Sequence, residues 1–197
     1  MFTGIITDLG RVRAVAQGAM TRLEIEATYP TESIAIGASI ACSGACLSVV
    51  ERGTGWFAVE ASAETLSKTT LGEWRAGTAV NLERPLKLGD ELGGHLVLGH
   101  VDGVGTLAER RPDGGSIRLA FDAPADLARF IAPKGSVAID GVSMTVNEVA
   151  GRRFGVNVIP ITQRETTLGA LVAGARVNLE IDLLARYVAR LIAKDAE

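Results

Sequence analysis

The chain has 197 residues, of which 47% are hydrophobic and 22% charged, with a formal net charge of -3. This is the composition of a globular protein, and the length allows one domain or two. Nucleic acid is not an expected partner, because its phosphates are bound through clustered basic side chains that this sequence lacks. No signal peptide and no run of 18 apolar residues is evident, so the sequence predicts a cytoplasmic protein that does not bind membranes.

Short apolar or alternating segments separated by turn residues predict β-strands in the first half of the chain. They cover residues 2–7, 11–15, 21–27, 39–42, 46–51, 56–60 and 79–83. So many strands in so short a segment are typical of a small closed barrel or sandwich. Residues 63–71 predict one short helix, and Gly72 is expected to end it in the left-handed conformation.

The second half begins after a loop and ends in a helix. Residues 84–94 contain one proline and three glycines, which predicts a domain boundary. Asp113 and Gly114 predict a hairpin turn, residues 122–130 a short helix with Asp122 near its N-cap, and residues 162–168 a helix ended by Gly169. Residues 182–196 predict an amphipathic helix with Lys194 on its polar face. Its apolar face fits packing on the chain's own domains or a helix bundle between subunits.

The second half also repeats the first. Residues 38–83 align without a gap with residues 135–180, and 18 of the 46 positions are identical. Ordinary composition would give roughly three or four identities by chance. Residues 2–10 align in the same way with residues 97–105. Because each copy is long enough for a core of its own, the duplication predicts two β domains.

The residues suited to metal or hydrolase chemistry do not form a known pattern. His95 and His100 are the only histidines, and Cys42 and Cys46 are the only cysteines. Their Cys-x3-Cys and His-x4-His spacings do not match a zinc site, and a structural role satisfied by backbone is open for either histidine. The cysteines would lie about 13 Å apart on an extended chain, so both are expected to be reduced. The chain has no G-x-S-x-G segment and no phosphate-binding glycine loop that opens a helix.

Equivalent positions that differ in chemical type are better candidates for a site with two separate roles. Cys46 aligns with Ser143, Ile5 with His100, Ser43 with Asp140, and Pro85 with Asp182. Cys46 and Ser143 each follow a turn glycine at the start of a strand. Ser48 and Thr145 come two residues later, on the same face of each strand. Each repeat is therefore expected to present one polar row to a ligand.

Segments along nearly the whole chain resemble the riboflavin synthase family, in its trimeric two-barrel form. They are MFTGI, GACLSV, GGHLVLGHVDG, IDGVSMTV, the two TTLG blocks and the closing NLEID. With the duplication, the resemblance implies an all-β fold of two tandem duplicated six-stranded antiparallel Greek-key barrels plus a C-terminal α-helix. The expected domains are lumazine-binding barrels at 1–88 and 89–182 and an oligomerisation helix at 183–197.

The resemblance also implies a reaction. Two molecules of 6,7-dimethyl-8-ribityllumazine exchange a four-carbon unit and give riboflavin and 5-amino-6-ribitylaminopyrimidinedione, without a cofactor or a metal. The family's active site lies between the N-terminal barrel of one subunit and the C-terminal barrel of its neighbour in a homotrimer. One alternative is a non-catalytic lumazine-binding antenna protein, which needs only one competent pocket. Another is the flavin-binding barrel of reductases, which requires a nucleotide domain where this chain has a second barrel.

The catalytic residues that the resemblance implies are Cys46, His100, Ser143, Thr145 and Asp182. Histidine suits proton transfer at neutral pH, so His100 is expected to act as acid or base. Ser143, oriented by Asp182, would supply or position the attacking oxygen, and Cys46 is either a nucleophile or a hydrogen-bonding partner. The substrate-binding residues implied are Gly4, Ile5, Ile6, Cys46, Leu47, Ser48, Glu60, Ala61, Ser62, Ala63, Glu64, Thr65, Gly99, His100, Val101, Lys134, Ser143, Met144, Thr145, Ile159, Pro160, Ile161, Thr162 and Gln163.

Overall fold

Two sets of six strands form the fold in the computed structural model, which describes residues 1–193. The first set is β1 (Asp8–Ala16), β2 (Thr21–Glu26), β3 (Ser39–Cys42), β4 (Ala45–Gly53), β5 (Trp56–Ala61) and β6 (Ala79–Glu83). The second is β7 (Gly103–Asp113), β8 (Ser116–Asp122), β9 (Ser136–Ile139), β10 (Val142–Ala150), β11 (Arg153–Val158) and β12 (Arg176–Ile181). Each set closes into an antiparallel barrel with the same strand order, β1-β2-β5-β4-β3-β6 and β7-β8-β11-β10-β9-β12, which confirms the predicted pair of Greek-key barrels.

Each barrel has a core of its own, built from the alternating residues of its strands. In β2, for example, Leu23 and Ile25 point inward and are fully buried, while Glu24 between them is partly exposed. Phe57 occupies the first core. Its equivalent, Phe154, stacks on Phe121 in the second, with ring centroids 5.7 Å apart. Alternation with period two is the pattern expected of strands that face a core on one side.

Residues 2–7 do not form the predicted barrel strand. Phe2 pairs instead with Val97, through hydrogen bonds of 2.7 Å and 3.1 Å between their main chains, and β1 begins only at Asp8. We call residues 2–6 the first arm and residues 97–101 the second arm. Phe2 and Val97 are buried against Ala41 of the first barrel and Ala138 of the second. The equivalent segments of the two repeats therefore pair with each other between the barrels.

A pair of equivalent asparagines also joins the barrels. The side chain of Asn81 donates to the Asp140 carbonyl and to Thr167 Oγ1, both at 2.9 Å, and accepts from the Thr167 N–H at 2.8 Å. Asn178 donates to the carbonyl of Ser43 and accepts from the Thr70 N–H, both at 2.8 Å. Because both asparagines are almost fully buried, each of these bonds satisfies a group that water does not reach. The contacts are nearly the same in both directions, as expected for a duplicated pair.

The two predicted short helices end earlier than expected. The structure has α1 (Ala63–Lys68) and α2 (Pro160–Glu165), each followed by an extended threonine and then a 3₁₀ turn (Thr70–Glu73 and Thr167–Ala170). Gly72 and Gly169 lie within these turns and do not have positive φ, so the prediction of left-handed helix ends was wrong. The helix ends at the threonine, because the Thr69 hydroxyl donates to the Thr65 carbonyl and accepts from the N–H of Leu71.

The hairpin predicted at Asp113 and Gly114 is confirmed, with Gly114 and Gly115 at φ +54° and +89° joining β7 to β8. The helix predicted for residues 122–130 was wrong. Strand β8 continues to Asp122, and only a 3₁₀ turn (Ala128–Phe130) follows. The Asp122 carboxylate binds Arg153 at 2.8 Å and so does not cap a helix.

The last element is α3 (Leu183–Ile192), capped by Asp182. Residues 194–196 of the predicted helix, including Lys194, lie outside the described residues. On the polar side, Arg186 donates to Asp102 of the second barrel at 2.8 Å. The apolar stripe is between 54% and 83% exposed, and it consists of Leu184, Tyr187, Val188, Leu191 and Ile192. Within residues 1–193 this stripe therefore does not pack on the chain's own barrels. In the same residues, no helix is long and apolar enough to span a membrane.

Candidate active site

Each arm crosses to the barrel of the other repeat. The Gly4 carbonyl of the first arm accepts from the N–H of Ser143 at 2.8 Å, at the start of β10. The Gly99 carbonyl of the second arm accepts from the N–H of Cys46 at 2.9 Å, at the start of β4. Farther along the arms, Ile6 packs on the second core and Val101 on the first. The two predicted polar positions thus each lie beside a segment of the other repeat.

Glycine is required where the arms touch the strands. Gly4 and Gly99 have φ of +75° and +78°, which side chains other than glycine rarely adopt. A Cβ atom on Gly4 would lie 2.6 Å from the Ser143 Cβ, and one on Gly99 would lie 2.6 Å from the Cys46 Cβ. Both glycines were predicted to line the pockets, and they allow the backbone to approach the two candidate catalytic residues.

The Cys46 site comprises Cys46, Ser48, residues 60–65 and the second arm. Cys46 is half-buried and Ser48 is exposed on the same face of β4, while Leu47 between them points into the core. Because Val49 pairs with Val59, the start of β4 lies beside the end of β5, where residues 60–65 lead into α1. His100, on the second arm, is exposed. The backbone of His100 therefore lies one residue beyond the hydrogen bond between Gly99 and Cys46.

The Ser143 site comprises Ser143, Thr145, His95, residues 159–163 and the first arm. Ser143 is half-buried and Thr145 is exposed on the same face of β10, while Met144 points into the second core. The start of β10 lies beside the end of β11, because Val146 pairs with Val156, and residues 159–163 begin α2 there.

Two further predicted residues of the Ser143 site are fixed by backbone contacts. The side-chain amide of Gln163 donates to the Val158 carbonyl at 2.8 Å, which fixes the start of α2. The Lys134 N–H donates to the Val146 carbonyl at 2.8 Å, and its φ of +67° turns the chain next to β10. The Lys134 side chain is exposed.

His95 is the partner of Ser143, which the sequence did not indicate. Its Nδ1 lies 2.7 Å from Ser143 Oγ, and its main-chain N–H donates to the Thr3 carbonyl of the first arm at 3.1 Å. Burial lowers the pKa of His95, and the Asp182 carboxylate opposes this effect. Its Nε2 is buried and makes no hydrogen bond within residues 1–193. A neutral imidazole in this place can accept the proton of the serine hydroxyl.

The signal for His95 was weak in the sequence. Residue 95 precedes the segment of the second copy that aligns with the first, so the comparison of equivalent positions does not include it. The best indication of His95 in the sequence is Gly94, the residue before it. In the structure, a Cβ atom at Gly94 would lie 2.8 Å from the Ser143 Cβ. A glycine next to a histidine thus marks the close approach of this loop to β10.

Asp182 does not bind Ser143 in this structure, in contrast to the sequence-based expectation. Its carboxylate caps α3 by accepting from the N–H of Leu184 at 2.9 Å, and it acts on His95 through its charge. The arrangement therefore orients Ser143 through His95 directly and through Asp182 only at longer range.

Both cysteines are free. Burial raises the pKa of the Cys42 thiol, which lies in the first core, whereas Cys46 is partly accessible. Within the part of the chain that the structure describes, no three His, Cys, Asp or Glu side chains are grouped so as to hold a metal ion.

Comparison with known proteins agrees with the division of the chain into two repeats. Residues 3–85 and 98–182 each match the family described as the lumazine binding domain. The riboflavin synthase of Brucella abortus is 53% identical over 97% of this chain and 98% of its own length. The riboflavin synthase of Photobacterium phosphoreum is 39% identical over 99% and 90%.

Solved structures give the same result for the fold. LumP complexed with riboflavin has a TM-score of 0.84 at 26% identity, and LumP complexed with 6,7-dimethyl-8-(1'-D-ribityl) lumazine has a TM-score of 0.82 at 25% identity. Each comparison covers 92% of this chain and 99% of the LumP chain. With both repeats matched and relatives aligned over almost their full length, the chain belongs to the riboflavin synthase family.

Proposed function

We propose that this protein is a riboflavin synthase, which converts two molecules of 6,7-dimethyl-8-ribityllumazine into riboflavin and 5-amino-6-ribitylaminopyrimidinedione. The observation that carries the proposal is that Cys46 and Ser143, at equivalent positions of the two repeats, have different side chains and each lie beside the arm of the other repeat. We assign Cys46 and His100 to one site, and Ser143 and His95 to the other. A reaction in which two identical molecules take different roles requires two such sites.

The chemistry is balanced without any other reactant. One lumazine gives up a four-carbon unit and the other receives it, so the atoms of the two substrates are the atoms of the two products. The water consumed in releasing the unit from the donor is returned when the unit condenses with the acceptor, so neither molecule needs an oxidant or a reductant. Much of the rate is expected from orientation, because two bound rings held in contact can react with an effective molarity of about 10⁵ M or more.

In the Ser143 site, the serine hydroxyl is the nucleophile or positions one. His95 accepts the hydroxyl proton at Nδ1, because burial favours its neutral form. The oxygen adds to one lumazine and is released again when that molecule loses its four-carbon unit. Thr145 lies on the same face of β10 and binds the substrate beside Ser143.

In the Cys46 site, His100 removes a proton from the methyl group on C7 of the other lumazine, and the resulting carbanion attacks the first molecule. Cys46 and Ser48 lie on one face of β4 and bind the ring. Residues 60–65 and 159–163 close the two sites in equivalent ways, since each segment leads from the end of a strand into a short helix.

A homotrimer is the proposed assembly, with the Cys46 site of one subunit facing the Ser143 site of its neighbour. The exposed apolar stripe of α3 supports a subunit contact, because five large side chains on one helix face remain open to solvent in the single chain. A cytoplasmic location is proposed with it, in keeping with two free cysteines.

The decisive experiment is to mix the purified protein with 6,7-dimethyl-8-ribityllumazine in buffer without metal or cofactor and to follow flavin absorbance. One mole of riboflavin for every two moles of lumazine consumed is the expected result. Tight binding of lumazine without riboflavin would instead identify a chromophore carrier. If Ser143→Ala, His100→Gln and Cys46→Ser all retain wild-type turnover, the assignment of the sites is wrong.

A further inference from the structure

Two buried glutamates hold the two arms. Glu83, the last residue of β6, accepts hydrogen bonds from the Thr3 N–H and the Thr3 hydroxyl at 2.7 Å and from the Gly4 N–H at 2.9 Å. It is 4% exposed. Nearly all of its acceptor capacity is therefore directed at the first arm.

Glu180, at the equivalent position of β12, holds the second arm. It accepts from the N–H groups of Leu98 at 2.7 Å, Gly99 at 2.9 Å and His100 at 3.1 Å, and it is also 4% exposed. Burial raises the pKa of both glutamates, and the hydrogen bonds from the arms oppose this rise. All of these hydrogen bonds to the two carboxylates therefore come from the arms.

Each glutamate is connected to the site on the other barrel by hydrogen bonds through an arm residue. Glu83 holds Thr3, whose carbonyl accepts from His95, and Gly4, whose carbonyl accepts from Ser143. Both of those residues belong to the Ser143 site, although Glu83 lies in the first barrel. Glu180, in the second barrel, holds Gly99, whose carbonyl accepts from Cys46 in the first.

We propose that Glu83 and Glu180 are positioning residues that act crosswise, each fixing the geometry of the site on the opposite barrel through the arm that it holds. The inference rests on the proposed function only in treating the Cys46 and Ser143 sites as catalytic. A carboxylate is needed at both positions, because it presents acceptors only. A glutamine of the same size would direct an N–H₂ group at an N–H donor and lose at least one bond.

The test uses Glu83→Gln and Glu180→Gln in the full chain, with Asp8→Asn as a matched control. Asp8 is a carboxylate of the first barrel that accepts from the Thr28 N–H and hydroxyl at 2.7 Å, as Glu83 does with Thr3, but it touches no arm. All proteins carry Cys42→Ala, so that Cys46 is the only thiol.

Two measurements without substrate report on the two sites separately. The rate of Cys46 alkylation by iodoacetamide reports on the Cys46 site, and the NMR titration of the His95 imidazole reports on the Ser143 site. Glu180→Gln should raise the alkylation rate about fivefold or more. The reason is that the second arm loses a hydrogen bond to a charged group, and the free energy of such a bond corresponds to a factor of about that size. The same variant should leave the His95 midpoint unchanged. Glu83→Gln should move the His95 midpoint up towards its ordinary value and leave the alkylation rate unchanged, and Asp8→Asn should change neither.

The proposal is overturned if Glu83→Gln or Glu180→Gln changes the site on its own barrel, or if it changes neither site. If Glu83→Gln does not fold, Thr3→Val removes one of the three bonds to Glu83 and should move the His95 midpoint in the same direction. With substrate, each glutamine variant should lower kcat about tenfold, while Asp8→Asn stays near the wild type. A wild type that forms no riboflavin but shows the crosswise pattern would reject the proposed function and leave this inference standing.

Discussion

The environment of His95 differs from that of His100 in two ways that bear on their roles. His95 is half-buried, and its Nδ1 is bonded to Ser143 Oγ, whereas His100 is exposed on the second arm near Cys46. Burial lowers the pKa of the first imidazole and so favours its neutral form, whereas the second imidazole is open to a bound molecule. The two histidines are therefore expected to act in different sites and in different steps.

We predict that His95→Gln lowers kcat about a hundredfold, because general base assistance to Ser143 is lost. His95 and Ser143 act as a unit in this mechanism, so the double variant His95→Gln/Ser143→Ala should be no slower than Ser143→Ala alone. The comparison is made by single-turnover kinetics with saturating lumazine. The comparison double variant His100→Gln/Ser143→Ala should be slower than either single variant, since His100 and Ser143 act separately. Full additivity of the His95 and Ser143 effects would exclude the proposed unit.

Asp140 is a second residue with a clear expectation, in this case for stability. It aligns with Ser43, and its burial raises the pKa of Asp140 to about 7, while a hydrogen bond from the Asn178 N–H opposes the rise. In the unfolded chain an aspartate has a pKa of about 3.9. Between these two values the folded state binds a proton that the unfolded state does not, so stability should fall as the pH rises from about 4 to about 7.

We therefore predict that Asp140→Ser, which copies the residue of the other repeat, raises the melting temperature at pH 8 relative to the wild type. The gain in unfolding free energy should be on the order of 1–3 kcal/mol and should disappear at about pH 3, below the pKa of the carboxyl in both states. Calorimetry at several pH values measures it. The reverse change Ser43→Asp is the control and should destabilise at pH 8. Equal melting temperatures of Asp140→Ser and wild type at both pH values would contradict the expectation.

At the residue scale, the sequence indicated some partners and missed others for a physical reason. Cys46 and Ser143 stand out because each has an equivalent to be compared with. His95 has none, and its bond to Ser143 depends on a loop that approaches β10 in three dimensions. The orientation of Ser143 was assigned to Asp182 through the family resemblance, and the sequence pattern did not show that this carboxylate caps α3.

Among the secondary-structure elements, the strands were predictable and the helix ends were not. Short apolar or alternating segments located β3 and β6 at Ser39–Cys42 and Ala79–Glu83. The same pattern in residues 2–7 suggested a barrel strand, because alternation does not reveal which segment will be the partner. The helices end at Thr69 and Thr166, where a hydroxyl bond to the previous turn competes with further helix.

The two 3₁₀ turns offer an internal comparison at the element scale. A Cβ atom on Gly169 would lie 2.0 Å from the Gln163 carbonyl oxygen, whereas one on Gly72 would have its nearest contact at 3.4 Å. We predict that Gly169→Ala destabilises the protein by about 2 kcal/mol or more through overpacking against backbone, while Gly72→Ala changes stability by less than about 1 kcal/mol. Urea unfolding of the two variants measures both. A larger cost at Gly72 would contradict the described packing.

At the scale of the whole molecule, the duplication predicted two barrels but not how they meet. Their contact depends on the buried bonds of Asn81 and Asn178 and on the pairing of the arms, none of which has a periodic pattern. The position of α3 relative to the barrels was equally open. The structure turns Arg186 toward Asp102 and leaves the apolar stripe exposed.

We predict that a chain ending at Asp182 is a monomer by multi-angle light scattering, whereas the full chain is a trimer, because the truncation removes the exposed stripe. Leu184→Glu together with Leu191→Glu should have the same effect, since two charges in a bundle core are poorly tolerated. Leu88→Glu is the control, because Leu88 is fully exposed but lies far along the chain from α3. A trimer that survives the truncation would remove α3 from the assembly. Monomers should still bind lumazine and lose turnover.

The crossing of the arms has a consequence for how this gene could diverge. A homodimer of a single repeat would be encoded once, so any change would appear in both pockets at the same time. With two repeats in one reading frame, selection can keep His100 on one arm and Ile5 on the other, or Cys46 on one strand and Ser143 on its equivalent. Each arm contacts the opposite barrel. A mutation that alters one pocket therefore leaves the equivalent segment of the other repeat unchanged. Two identical substrates can then meet two different surroundings.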